Sequence, residues 1–408
     1  MTVVSPAGLG QAALVAILLL VVLVSLNHKR LMRVYHVITL FQSDDLPKTF
    51  GSMEAIFETA TVHRGKSVHT YERDMRDLPR TYEYDGKEKD LAAFLVDTYT
   101  TGLVVLADGH IVFEEYHRGN TAATKTISWS VAKSFVSALV GIAVEEGHIA
   151  HIDQAVSDYV PLLRGSGYDG VAIRDVLEMS SGIRFVEDYG AFFSDINRMG
   201  RAIAFNTLLD DFVASLKNER EPGTYRSYVS MDTQVLGMVL HEATGQTLTS
   251  YLERRIWQRI GMESDAYWLV DGNGMELAFG GLNAVLRDYA RFGQLYLNGG
   301  SWQGEQIVPL AWVRASITPD QPHLQPGANP ASSSVLGYGY QWWIPERPEG
   351  DFLAIGVYGQ FIYVNPKRGV VIAKTSAYEP YNYDGDAMEL ESVGVFQSIA
   401  KGIAPERQ

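Results

Sequence analysis

A chain of 408 residues with 46% hydrophobic content can bury a large core, which excludes an intrinsically disordered protein and suits one large domain or two interlocked ones. Its formal net charge of −14 argues against nucleic acid, and against an anionic membrane surface, as a partner of the folded body. With no cysteine, disulfides, thiolate nucleophiles and zinc–thiolate sites are excluded, and neither an internal repeat nor a glycine-rich phosphate loop is present.

Residues 8–26 carry no formal charge over nineteen positions, enough to span a bilayer as a helix. No basic residue precedes the run and no small-x-small pattern follows it. The expectation is therefore an uncleaved single-pass anchor in a bacterial-type inner membrane, rather than a cleaved secretory signal. Lys29, Arg30 and Arg33 all follow the span, a charge bias that favours a cytoplasmic body. Residues 27–88 form a membrane-proximal lead-in, with an apolar patch at 34–41 and a polar stretch carrying Arg64, Lys66, Arg73, Arg76 and Arg80. No chemistry is assigned to it.

The folded domain is expected over 89–402. Residues 103–106 and 111–116 flank Ala107-Asp108-Gly109, the signal of a β-hairpin. The stretch 126–141 follows, a loop running into a buried helix. Ser130 and Lys133 stand three residues apart there, so a helix opening at Ser130 puts both side chains on one face, the amine beside the hydroxyl. A serine hydroxyl is a weak nucleophile at neutral pH, and a lysine held in a partly desolvated pocket can take its proton. A helix N-terminus adds a positive field and free N–H groups for an oxyanion. Ser-x-x-Lys alone is a common accident. Here residues 135–144 are almost wholly apolar, so Lys133 enters a core helix, where a lysine needs a reason.

From about 148 to 225 the pattern is helical and loop-rich, ending at the turn Glu221-Pro222-Gly223-Thr224. Helices are expected at about 230–243 and 286–297. Strands follow near 338–343, 354–355, 361–365 and 370–374, before a last helix at about 389–400. Strands at both ends with helices between imply an α+β fold. It has one antiparallel sheet flanked by helices, a mainly helical insertion, and a transmembrane helix in front.

Ser130-Val131-Ala132-Lys133, the Glu221-Pro222-Gly223-Thr224 turn leading to Tyr228-Val229-Ser230, and Gly356-Val357-Tyr358-Gly359-Gln360 resemble, in order and spacing, the three motifs of the serine beta-lactamase and penicillin-binding-protein superfamily. Gly280-Gly281-Leu282, residues 287–293 and residues 338–343 are similar to stretches of its class C-like branch. That branch holds the 6-aminohexanoate-dimer hydrolases, or nylon oligomer hydrolases, and the family VIII carboxylesterases. The likeness covers roughly 90–400. It implies a beta-lactamase/transpeptidase-like fold and a serine hydrolase that works through an acyl-enzyme on Ser130, without a cofactor. In that scheme Lys133 favours the deprotonated Tyr228 phenol, which takes the serine proton and passes it to the leaving group. The oxyanion would sit between the Ser130 N–H and one near Tyr358, Gly359 and Gln360.

Two departures bear on substrate. Tyr228-Val229-Ser230 stands where Tyr-x-Asn is usual, which makes Ser230 a candidate contact. Tyr358-Gly359 stands where Lys-Thr-Gly or His-x-Gly is usual, and a lysine there binds the carboxylate of a beta-lactam or peptide C-terminus. The expected substrate is thus a small amide or ester. A D-alanyl carboxypeptidase or beta-lactamase is the alternative, and a non-catalytic binding protein on the same fold a further one. Lys374-Thr375-Ser376 is expected on the strand beyond the site. Tyr189 resembles a substrate-contacting tyrosine of the nylon oligomer hydrolases, or packs a loop; Trp343 and Trp129 line an acyl pocket or fill the core. The histidines show no ligand spacing with carboxylates, so no metal is expected, and the oligomeric state is left open.

Overall fold

The computed structural model describes residues 6–28, 32, 35, 40, 45–204, 208–384 and 386–406. Seven strands make the main sheet: β1 (Thr100–Ala107), β2 (His110–Tyr116), β3 (Gly337–Tyr338), β4 (Trp343–Ile344), β5 (Phe352–Gly356), β6 (Gln360–Asn365) and β7 (Val370–Ser376). Their spatial order is β3-β4-β5-β6-β7-β1-β2, all antiparallel. The two ends of the domain therefore meet, with β7 against β1 and Val371 opposite Leu106. Asp108 and Gly109, at φ 50° and 80°, close the predicted β1–β2 hairpin in the doubly positive turn that matches strand twist.

Alternation along the strands feeds two cores. Val104, Leu106, Ile362, Val371 and Ala373 face one; Leu103, Val105, Phe361, Tyr363 and Ile372 face the other. The chain's principal helices are α1 (Pro6–Leu26), α2 (Ala132–Glu145), α3 (Asp195–Ala204), α4 (Ser230–Thr244), α5 (Leu286–Leu297) and α6 (Ala387–Ile403). Helices α2, α4 and α5 pack in the first core and α6 in the second. Helix α2 is mostly apolar and is buried from Ala132 to Ala143, as a helix surrounded by protein must be. Phe135 stacks on Phe292 of α5 with ring centroids 3.6 Å apart.

A four-stranded sheet, ordered Thr59–Val62, Ala266–Leu269, Leu282–Val285, Lys125–Ile127, ties part of the lead-in to the domain. Leu46, Phe50, Met53 and Val62 are buried in the first core, so this part of 27–88 packs as domain rather than tether.

Two expectations need correction. Residues 338–343 are not one strand. Tyr338 of β3 pairs with Trp343 of β4, and the chain turns between them through Gln341 at φ 62°. The aromatic run has strand propensity, but buried partners claim Gln341: its carbonyl accepts from Ser134 Oγ at 2.7 Å, and its side chain bonds Thr233 Oγ1 and Leu177 O, each at 2.7 Å. The second concerns the anchor. Helix α1 covers it, with exposed Leu18, Leu20 and Leu23, yet among the described residues no helix is long and apolar enough to cross a membrane. The predicted transmembrane helix is thus not supported by the fold. Lys29, Arg30 and Arg33 lie outside the described residues.

Candidate active site

Ser130 sits in a 3-10 turn, Trp129–Val131, that feeds directly into α2. The turn is tight: Trp129 holds φ 43°, a conformation that strains a bulky residue and recurs at functional sites. Lys133 lies one turn on and is 1% exposed. Its Nζ has three partners, Ser130 Oγ at 2.9 Å, Ser230 Oγ at 3.2 Å and the Phe279 carbonyl at 2.6 Å. Burial pushes the Lys133 pKa down to about 7, against the opposing pull of Glu187 and Asp232. The amine beside the hydroxyl is therefore partly unprotonated at neutral pH.

Tyr228 reaches the same hydroxyl. Burial holds its phenol well above the usual range, and its hydrogen bond with Ser130 only partly offsets this. Burial thus opposes ionisation of the phenol, the state that the resemblance implied. Its ring stacks on Trp343 at 5.4 Å, and Lys133 Nζ lies 5.2 Å from its centroid. The segment leading to Tyr228 is fixed by Arg226, wholly buried, which donates to Ser332 Oγ at 2.5 Å and to the Ser334 and Leu336 carbonyls at 3.0 and 2.8 Å.

Ser230 opens α4 and stands between Lys133 and Glu187. Glu187 accepts from the Ser230 N–H at 2.9 Å, from Ser230 Oγ at 2.5 Å and from the Tyr189 hydroxyl at 2.7 Å. A carboxylate suits the helix N-terminus there. It also links the Lys133 amine to an acid through one hydroxyl. Sequence reasoning singled out Tyr189 and missed Glu187.

Two cavities meet at Ser130. One, of about 510 Å³, is lined by Trp129, Tyr189, Met199, Phe279 and Val357 among others. The other, of about 410 Å³, carries Tyr189, Tyr228, Trp343 and Val357 together with Glu187, Asp188, Asp386 and Glu389. Tyr189 thus reaches the cleft, and Trp129 and Trp343 line it on opposite sides. The third predicted group is placed differently. Val357 borders both cavities, whereas Tyr358, Gly359 and Gln360 border neither. The Tyr358 ring is buried against Phe50 at 5.4 Å, and Gln360 Nε2 donates to the Ser376 carbonyl at 2.7 Å. Gly356, just before Val357, is pressed against the nucleophile turn: a Cβ there would lie 2.5 Å from Ser128 O and 3.1 Å from Ser130 N. Only glycine lets the strand end come so close. Lys374 lies outside both cavities, its amine bonded to Ser376 and set between the Phe94 and Phe361 rings. Among the described residues no group of three or more His, Asp or Glu is placed to hold a metal ion.

The family profile described as Beta-lactamase matches residues 91–391. The chain belongs to the beta-lactamase family. It is 30% identical over 297 residues to the 6-aminohexanoate-dimer hydrolase of Paenarthrobacter ureafaciens, covering 71% of this chain and 75% of that one. Among solved structures it resembles a protein of Bacillus anthracis assigned as a 6-aminohexanoate-dimer hydrolase, with a TM-score of 0.78 and 25% identity over 88% of this chain and 95% of the other. A family VIII carboxylesterase shares the fold at a TM-score of 0.58 and 17% identity, over 76% of this chain and 95% of that structure. This member of the beta-lactamase family is thus an enzyme of the serine-hydrolase type, with a beta-lactamase/transpeptidase-like α+β fold.

Proposed function

We propose that this protein cleaves a small amide or ester through an acyl-enzyme on Ser130, in the manner of the 6-aminohexanoate-dimer hydrolases or the carboxylesterases. The observation that carries the reading is the buried Lys133 amine 2.9 Å from Ser130 Oγ, where burial pushes its pKa down. As Ser130 Oγ bonds the acyl carbon, its proton passes to Lys133 and the carbonyl electrons move to oxygen. The Ser130 N–H and the strand end at Gly356 and Val357 frame that oxyanion. Collapse breaks the bond to the leaving group, which departs with a proton from the Tyr228 hydroxyl, replaced from Lys133. Water then attacks the acyl carbon and gives its proton to Lys133, which returns it to Ser130 Oγ as the acid is released. Glu187 and Ser230 hold the amine in position.

The acidic lining of the Tyr228 cavity, without lysine or arginine, disfavours the carboxylate of a beta-lactam or a peptide C-terminus. Turnover of p-nitrophenyl acetate by the full chain tests the reading. Ser130→Ala should abolish it, a loss on the order of 10³-fold or more, while leaving the melting temperature intact. Equal turnover in the variant would overturn the assignment.

From its uncharged run at 8–26 we also propose that the chain attaches to a membrane, with the charge bias placing the body on the cytoplasmic side, although among the described residues no helix is long and apolar enough to cross one. This rests on sequence alone. Protease added to spheroplasts should leave the body intact, and cleavage from outside would reverse the orientation.

A further inference from the structure

The two cavities differ in chemistry, and Ser130 and Val357 stand where they join. Tyr228, the proton donor to the leaving group in the reading above, borders only the smaller, acidic one. The leaving group must lie on that side, so the acyl group extends into the larger cavity. That chamber is walled by Leu40, Met53, Phe57, Met199, Leu277 and Phe279, and among the described residues the charged ones lining it are Arg201 and Glu379. The Arg201 guanidinium is engaged, donating to the Phe192 carbonyl at 2.6 Å and lying 4.2 Å over the Phe192 ring. Glu379 is on the exposed rim. The apolar surface continues to the mouth at Phe192 and Tyr383, 61% and 80% exposed. At about 30 Å³ per water-sized group, 510 Å³ holds on the order of ten methylenes with room to spare.

We infer that the substrate carries an uncharged aliphatic acyl chain of medium length, about eight to twelve carbons, seated in this chamber. The inference rests on the hydrolase reading. It separates this chain from a hydrolase suited to 6-aminohexanoyl groups, because an ammonium seated among the apolar walls would lose its water, the acid Glu379 standing only on the exposed rim. Three of the walls, Leu40, Met53 and Phe57, come from the lead-in, so that segment completes the acyl site.

Helix α3 offers a clean test. A Cβ added at Gly200 meets no atom within 4 Å, and Gly200 lines the chamber. Gly200→Phe fills the space and replaces a poor helix former. The full chain is assayed on p-nitrophenyl esters from acetyl to dodecanoyl, beside the 6-aminohexanoyl ester. Each buried methylene should raise kcat/KM about threefold, giving a rise on the order of 10³-fold over the six methylenes from acetyl to octanoyl. Hexanoyl should exceed 6-aminohexanoyl at least about tenfold. Gly200→Phe should lower octanoyl turnover at least about tenfold more than acetyl turnover. A profile that is flat or falls beyond butyryl, with Ser130-dependent acetyl turnover, overturns the inference and leaves the hydrolase reading standing. No Ser130-dependent turnover of any ester overturns both.

Discussion

Among the described residues Lys133 bonds two hydroxyls and a carbonyl rather than a carboxylate, and Glu187 is one hydroxyl away. Desolvation thus outweighs the acids and brings the amine to about 7. Protonated, it cannot accept the Ser130 proton, so kcat/KM should rise with pH along a limb of apparent pKa near 7. A pH–rate profile on a neutral ester, from about pH 5 to about 9, checks this. Glu187 favours the ammonium, so Glu187→Gln should move that limb to lower pH, by about half a unit to one unit. A limb that stays in place would remove Glu187 from the circuit. Ser130 and Lys133 were legible in the sequence because three residues on a helix fix their neighbourhood. Glu187 was not, because it comes from a loop 43 residues before Ser230 and only folding brings the two together.

The strand pair β5 and β6 shapes the cleft through its turn. Gly356→Ala puts a methyl into the backbone at Ser128 and Ser130, and neither oxygen nor amide can step aside without moving the nucleophile. We expect kcat to fall about 10²-fold, with a stability loss of about 1–3 kcal/mol read from urea unfolding. An active, fully stable variant would place the oxyanion site elsewhere. Strand β7 carries a different tension in Lys374, buried with no acidic partner among the described residues and pushed down by desolvation to a pKa of about 7. The unfolded chain keeps this lysine protonated to about pH 10. Between about 7 and 10 it binds more protons than the native state, so stability contributed here rises with pH across that window. Lys374→Met should therefore be more stable than wild type at neutral pH, by on the order of 2 kcal/mol, with the gap closing as pH rises. Thermal melts at two pH values decide it. The strands and helices around these positions follow plainly from period and turn residues. The 338–343 hairpin does not, because the partners that pull Gln341 inward, Ser134, Leu177 and Thr233, are remote in sequence.

At the scale of the whole molecule, one sheet separates a core that holds the chemistry from a core that braces it. Helices α2, α4 and α5 position Ser130, Lys133 and Ser230 on the first face, and α6 backs the second. This division was legible from strands at both ends of the chain and an apolar helix after Ser130. The role of the lead-in was not: Leu40, Met53 and Phe57 follow no periodic pattern, and their use as cavity wall appears only once 59–62 has paired with 266–269. The division also predicts a single activated hydroxyl, since of the serines only Ser130 lines either cavity with a lysine amine upon it. The most direct test is to expose the folded full chain to a fluorophosphonate and map the adduct by mass spectrometry. One phosphonyl group on Ser130, absent in Ser130→Ala and forming faster as pH passes about 7, is the expected result. No adduct on folded protein, or an adduct on another serine, would contradict the account.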